Sequence, residues 1–124
     1  MSVADSRIIE VIEDLIEANR AAREVMHTGE MILQQGIERL RAGEKISETL
    51  TDMAAGSQRQ ATQEANERIT ITRHNLRLLL IERCLEEGMR PWAIGDAWGM
   101  SRQRVDRYIQ EIKRGSEEWT SRTD

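Results

Sequence analysis

Near the start of the chain, apolar side chains recur at intervals of three and four: Ile8, Ile12, Leu15, then Ala22 and Met26, with Asn19 at the intervening place in the series. That alternation predicts an amphipathic helix with a heptad-like stripe. Ile9, Val11 and Ile16 widen the stripe beyond a two-stranded seam, so a bundle is expected rather than a bare zipper. Thr28-Gly29 predicts an interruption, after which Ile32, Leu33, Ile37 and Leu40 resume the helical spacing and Gly43 supplies a C-terminal stop. Ser47 is placed to cap a short helix carrying Leu50 and Met53, which Ala55-Gly56-Ser57 should end. Ser57 with Gln60 matches a capping box and predicts a long helix to about Glu87. Its first half, QRQATQEANERIT, is too polar to be buried alone, whereas RLLLIERCL can join a core, so this helix is expected to link two modules. No stretch of meaningful length alternates with the period of a strand, and the expected class is all-α.

The pattern changes after Gly88. Pro91 suits the first turn of a short helix to Trp98, where its missing amide hydrogen costs nothing. Ile94, Ala97 and Trp98 should face one side of that helix, Gly99 should permit a tight turn, Met100 should plug the core, and Ser101 should cap the next helix. In that last helix Val105, Tyr108, Ile109 and Ile112 form the expected inward stripe, which leaves Arg102, Gln103, Asp106, Arg107 and Gln110 facing out. Trp98 is assigned to the core, and for Trp92 the core is favoured over a seat against a sugar-phosphate backbone. The remainder, SEEWTSRTD, is polar apart from Trp119 and is expected to fray, unless Trp119 docks on a partner or folds back.

Charge sharpens this division. The 124-residue chain carries a net charge of −4, but before Ser57 there are six basic against eleven acidic residues, a balance of −5. From Gly88 to Arg114 there are six basic against three acidic residues, a balance of +3, so affinity for a polyanion is expected in the C-terminal part only.

Composition narrows the class further. Aromatic residues make up 3% of the chain and Phe is absent, so the core must be aliphatic. The single cysteine, Cys84, excludes an intramolecular disulfide and reads as a small core residue; His27 and His74 have no Cys/His cluster around them, so neither a metal nor a cofactor is expected. There is no apolar run long enough for a membrane span, and MSVADSRIIE has neither the basic start nor the apolar run of a secretory signal, so a cytoplasmic protein without membrane contact is expected. The chain has no serine nucleophile in a suitable setting, no metal-ligand spacing and no phosphate-cradling glycine loop, and no enzymatic activity is expected.

The stretch EEGMRPWAIGDAWGMSRQRVDRYIQEIKR resembles the helix-turn-helix family: small Gly95 falls where the two helices cross, Gly99 follows four residues later in the turn, and inward Val105 follows six residues after that. Gly-Met-Ser-Arg-Gln-Arg-Val is also similar to the turn in promoter-reading sigma-factor domains and in the C-terminal domains of resolvases and invertases. Two departures are Gly95 in place of the commoner Ala and Trp98 in place of a smaller aliphatic residue.

The resemblance implies that the helix from Arg102 to Arg114 enters the major groove of double-stranded DNA, near the nucleoid in a bacterial cell. Arg102 would address guanine and Gln103 adenine; Asp106 would accept from cytosine or, alternatively, support Arg102 or Arg107; Arg107 would reach base or phosphate. Arg90, Ser101, Arg104, Gln110, Lys113 and Arg114 would contact phosphates and set orientation.

One such head offers few contacts, so a homodimer is expected through Ile8, Ile12, Leu15, Asn19 and Met26, presenting two heads to half-sites roughly 34 Å apart. A monomer with an intrachain bundle is the alternative. The resulting division is a helical dimerisation region over 1–56, a connecting segment over 57–68, a tri-helical DNA-binding domain over 69–114 and a flexible tail over 115–124. The function expected is that of a dimeric transcriptional regulator. The alternatives are a helical adaptor contacting RNA polymerase or another protein, and a non-catalytic recombination or packaging accessory factor.

Overall fold

A computed structural model describes residues 1–53 and 55–123, for residues 55 and 116–123 the backbone alone. Every regular element among the described residues is an α-helix, in the order α1 (Val3–Arg41), α2 (Ile46–Asp52), α3 (Ala55–Glu86), α4 (Pro91–Trp98) and α5 (Arg102–Thr123). None is long and apolar enough to cross a membrane. The chain forms two compact units, one made of Met1–Ile12 with Arg73–Asp124 and the other of Glu13–Thr72.

In the unit of residues 13–72, α1 is continuous through Thr28-Gly29, where the sequence predicts a break. The Thr28 hydroxyl donates to the Glu24 carbonyl at 3.1 Å, satisfying itself inside the helix instead of competing with it. Gly29 lets another side chain come close: a Cβ there would lie 2.7 Å from Nε2 of Gln58, which donates at 2.9 Å to the Val25 carbonyl. At Gly36 a Cβ would meet Met53 Sδ at 2.9 Å. The least exposed positions of α1 here are Leu15, Ala18, Ala21, Ala22, Val25, Gly29, Ile32, Gly36 and Arg39, which apart from Ala21 make a four-three series built mostly from small or medium side chains. On α3, Gln58, Thr62, Ala65, Ile69 and Thr72 follow the same spacing.

This inner series shares Leu15 and Ala22 with the one read from the large apolar side chains, but takes Ala18 and Val25 where that one has Asn19 and Met26. Of the five expected dimerisation residues, Ile8 and Leu15 are half-buried within the chain, whereas Ile12, Asn19 and Met26 are exposed.

Gly43 ends α1 as expected. Its φ is +90°, and the bonds Gly43 N–H to Leu40 O (3.0 Å) and Glu44 N–H to Arg39 O (3.1 Å) form a Schellman motif. Arg39 then pairs with Glu44 and, at 2.6 Å, with Asp52, and these hydrogen bonds hold its guanidinium well above the ordinary pKa of arginine. Helix α2 starts earlier than expected, with Lys45 as its N-cap and Ser47 inside the first turn. Thr49 is buried with its hydroxyl bonded to the Lys45 carbonyl at 3.1 Å. Helix α3 likewise starts at Ala55, ahead of the expected Ser57 box, and the Gln60 side chain bonds forward to Glu64 at 3.1 Å.

In the other unit the core is made of large side chains. Ile81, Ile94, Val105 and Tyr108 are buried together, and Leu78, Cys84, Leu85, Met89, Met100, Ile109 and Ile112 pack against them. The start of α1 is tied to this unit by an ion pair between Asp5 and Arg83, Oδ1 to Nε 3.0 Å. Helix α5 runs on to Thr123, past the Arg114 boundary at which the sequence predicts a tail. The side chain of Trp119 lies outside the described residues.

Candidate nucleic-acid interface

Backbone chemistry fixes the corner on which α5 stands. Gly88, at φ +90°, ends α3 with the bonds Gly88 N–H to Leu85 O (3.0 Å) and Met89 N–H to Cys84 O (2.9 Å), a second Schellman motif. Pro91 then opens α4, and the extended Arg90 before it (φ −82°, ψ 149°) makes no side-chain cap. Gly99 takes the left-handed conformation, φ +68°, and the Met100 N–H bonds to the Gly95 carbonyl at 2.8 Å. Ser101 caps α5: its Oγ accepts from the Arg104 N–H at 3.2 Å, and its carbonyl accepts from the Val105 N–H at 3.1 Å.

Gly95 is the residue about which this corner closes. A Cβ at that position would lie 2.8 Å from the Met100 carbonyl oxygen and 3.4 Å from Val105 Cγ2. The departure from alanine therefore has a steric reason: here the turn itself occupies the space an alanine methyl would need.

Helix α5 divides as its sequence predicts. Val105 and Tyr108 are buried and Ile109 and Ile112 half-buried, while Arg102, Gln103, Arg104, Asp106, Arg107, Gln110, Lys113 and Arg114 are exposed, as are Arg90 and Ser101. Asp106 Oδ2 lies 3.9 Å from Arg102 Nε, one helical turn away, at the limit of an ion pair.

The structure adds a polar cluster that the sequence reading missed. His74 Nε2 and Glu111 Oε1 are 2.8 Å apart, the His74 and Tyr108 rings are 5.6 Å apart at 42°, and Arg77 Nη1 donates to the Tyr108 hydroxyl at 3.4 Å. Burial disfavours ionisation of that hydroxyl, but hydrogen bonds and positive charge from Arg77 and Arg104 outweigh it and hold the phenol below its ordinary pKa. His74, Arg104, Arg107, Tyr108 and Glu111 line an open depression of about 230 Å³. Two guanidinium groups, Arg77 from α3 and Arg104 from α5, thus act on one phenol, which favours an anion beside it. His74 and Arg77 lie more than thirty positions from their partners Glu111 and Tyr108. The only local signal was the spacing of Arg104, Arg107 and Glu111 about Tyr108 on one side of α5.

Neither tryptophan of α4 is in the core. Trp92 is 61% exposed and Trp98 37% exposed, and Trp98 with Ala97 borders an apolar groove of about 300 Å³ along with Leu80, Cys84, Met89 and Ile94. An eight-residue helix offers one narrow inward face, and Ile94 and Gly95 occupy it. Cys84 is half-buried at the groove's wall.

Comparison with models of known protein families, with curated proteins and with solved structures finds no match to this chain.

Proposed function

We propose that residues 69–114 form a helix-turn-helix that binds double-stranded DNA sequence-specifically, and that the chain acts as a dimeric transcriptional regulator without catalysis of its own. The observation that carries this reading is the Ser101-capped α5, set by the Gly95–Met100 contact so that Val105 and Tyr108 face the core while Arg102, Gln103, Asp106 and Arg107 stand exposed on the opposite side. In the major groove Arg102 donates two hydrogen bonds to guanine and Gln103 pairs with adenine, while Asp106 accepts from cytosine or braces Arg102. Arg107 reaches base or phosphate. Arg90, Ser101, Gln110, Lys113 and Arg114 contact the backbone, and Arg104 is assisted there by Arg77 and His74. Bacterial nucleoid DNA in the cytoplasm is the expected setting.

A second reading is an adaptor that binds RNA polymerase or another protein. The exposed Trp92 and the groove beside Trp98 favour it, because indole rings are frequent anchors at protein interfaces.

The deciding experiment is fluorescence anisotropy of the protein with a random duplex pool at two salt concentrations, comparing wild type with Arg102→Ala/Arg107→Ala. Salt-sensitive binding that enriches one sequence and weakens by at least about tenfold in the variant supports DNA reading. Unchanged or absent binding refutes it and favours the adaptor.

A further inference from the structure

Helix α1 carries two heptad series side by side. The inner one, from Leu15 to Arg39, is the less exposed. The outer one, displaced by a single residue, runs Ile16, Asn19, Arg23, Met26, Glu30, Leu33, Ile37 and Leu40, and all of its members are exposed. Leu33, at the middle of its apolar part, is 62% exposed. A helix that repeats a four-three pattern on a second, adjacent face is built to meet a second helix there. From residue 16 to residue 40 the stripe is about 36 Å long at 1.5 Å per residue.

We propose that this outer stripe is covered by the same stripe of a second copy, running antiparallel. The two charged positions argue for both the occupant and its direction. Arg23 and Glu30 are opposite in sign and lie on either side of the stripe's centre, and among the described residues neither has an ion-pair partner in the chain. A parallel copy would set like charge against like charge in both layers, which disfavours it. An antiparallel copy, with Ile16 opposite the partner's Leu40, brings Arg23 within one layer of the partner's Glu30, and symmetry repeats the pair. The apolar residues then close both ends of the interface, with the charged pairs at its middle.

The groove of about 670 Å³ beside this stripe fits the same arrangement. Met26, Leu33 and Ile32 of α1 form one wall, and Arg59, Gln63 and Asn66 of α3 form the other. A second helix seated on Met26 and Leu33 covers its mouth and meets a polar wall that suits the edge of an interface. Asn19 then faces the partner's Ile37 and not its own symmetry mate.

The inference deepens the dimeric arrangement proposed above but does not depend on DNA, so its test is kept separate. Sedimentation equilibrium of the full chain in the absence of nucleic acid is expected to show a dimer. Leu33→Asp should weaken association by at least about tenfold with unchanged helical circular dichroism, whereas Ile46→Asp, an equally exposed apolar residue outside the stripe, should leave it unaltered. Arg23→Glu alone and Glu30→Arg alone should each weaken it, the double variant Arg23→Glu/Glu30→Arg should restore it, and the two single variants mixed should form a heterodimer. A monomeric wild type, a dimer indifferent to Leu33→Asp, or failure of the double variant to recover overturns the proposal, whatever the DNA experiment shows.

Discussion

The two compact units meet the same requirement, burying one face of each helix, with different side chains. Around Ile81 the helices are joined by large aliphatic groups and one tyrosine, closed by a corner in which a carbonyl oxygen occupies the space of a missing methyl. Between residues 13 and 72 the inward face of α1 is mostly alanine, valine and glycine, with Leu15, Ile32 and Arg39 between them, and the gaps left at Gly29 and Gly36 are filled by the ends of Gln58 and Met53. The first arrangement gains from the area of each large group; the second gains from proximity and has many small contributions in place of a few large ones.

Truncating a core residue should show the largest difference. Ile81→Ala is expected to cost about 2–5 kcal/mol, because the side chain is fully buried and its neighbours cannot collapse into the space. Ile32→Ala, half-buried on the inner face of α1, should cost less than half as much. Equal losses in parallel denaturant titrations would erase the contrast between the units.

Glycine replacement sharpens it further. At Gly95 the obstacle is backbone, so Gly95→Ala should destabilise by about 1–3 kcal/mol even though alanine is the better helix former. At Gly29 and Gly36 the obstacles are the flexible tips of Gln58 and Met53, which can swing aside. Alanine's propensity gain, about 1 kcal/mol, then offsets the disturbed contact, including the Gln58–Val25 hydrogen bond at the first site. Thermal melts of the three variants should give a clear loss for Gly95→Ala and changes within about 1 kcal/mol for the other two.

The smallest effect concerns acid. The hydrogen bond from Arg83 lowers the Asp5 pKa from its ordinary 3.8, so the pair stabilises the folded state above that value and the contribution is lost as pH falls through the depressed folded value. Arg83→Gln should lower the melting temperature slightly at neutral pH, and the difference from wild type should vanish once the pH has fallen below the depressed folded value. Because the pair is exposed, the neutral-pH difference should be small and salt-sensitive.

The sequence was most informative where a local rule had a single solution. Gly43 reads as a helix stop, Gly99 as a tight turn, Ser101 as a cap and Val105 with Tyr108 as an inward stripe, and each is found so, the two glycines at positive φ. It was least informative where packing reversed a local preference. Thr28-Gly29 has the composition of a break, yet the helix continues because Gly29 is needed for the approach of Gln58. The expected seam of α1 shares Leu15 and Ala22 with the inner face but departs from it at alternate positions, Asn19 and Met26 in place of Ala18 and Val25, since pattern reading gives weight to large apolar residues while a close-packed face selects small ones. The tryptophans of α4 are expected in the core, but Ile94 and Gly95 fill the inward side of that short helix. The His74–Tyr108–Glu111 cluster joins two helices far apart in sequence, and no spacing rule reaches across that separation.

The aromatic residues also divide the molecule optically. Trp92, Trp98, Tyr108 and Trp119 all lie in the C-terminal unit, and residues 13–72 contain no tryptophan, tyrosine or phenylalanine. Intrinsic fluorescence therefore reports on one unit only, while far-ultraviolet dichroism records the helices of both. The wild-type chain thus carries its own pair of probes, and the separation between its two melting curves measures directly whether the units unfold together.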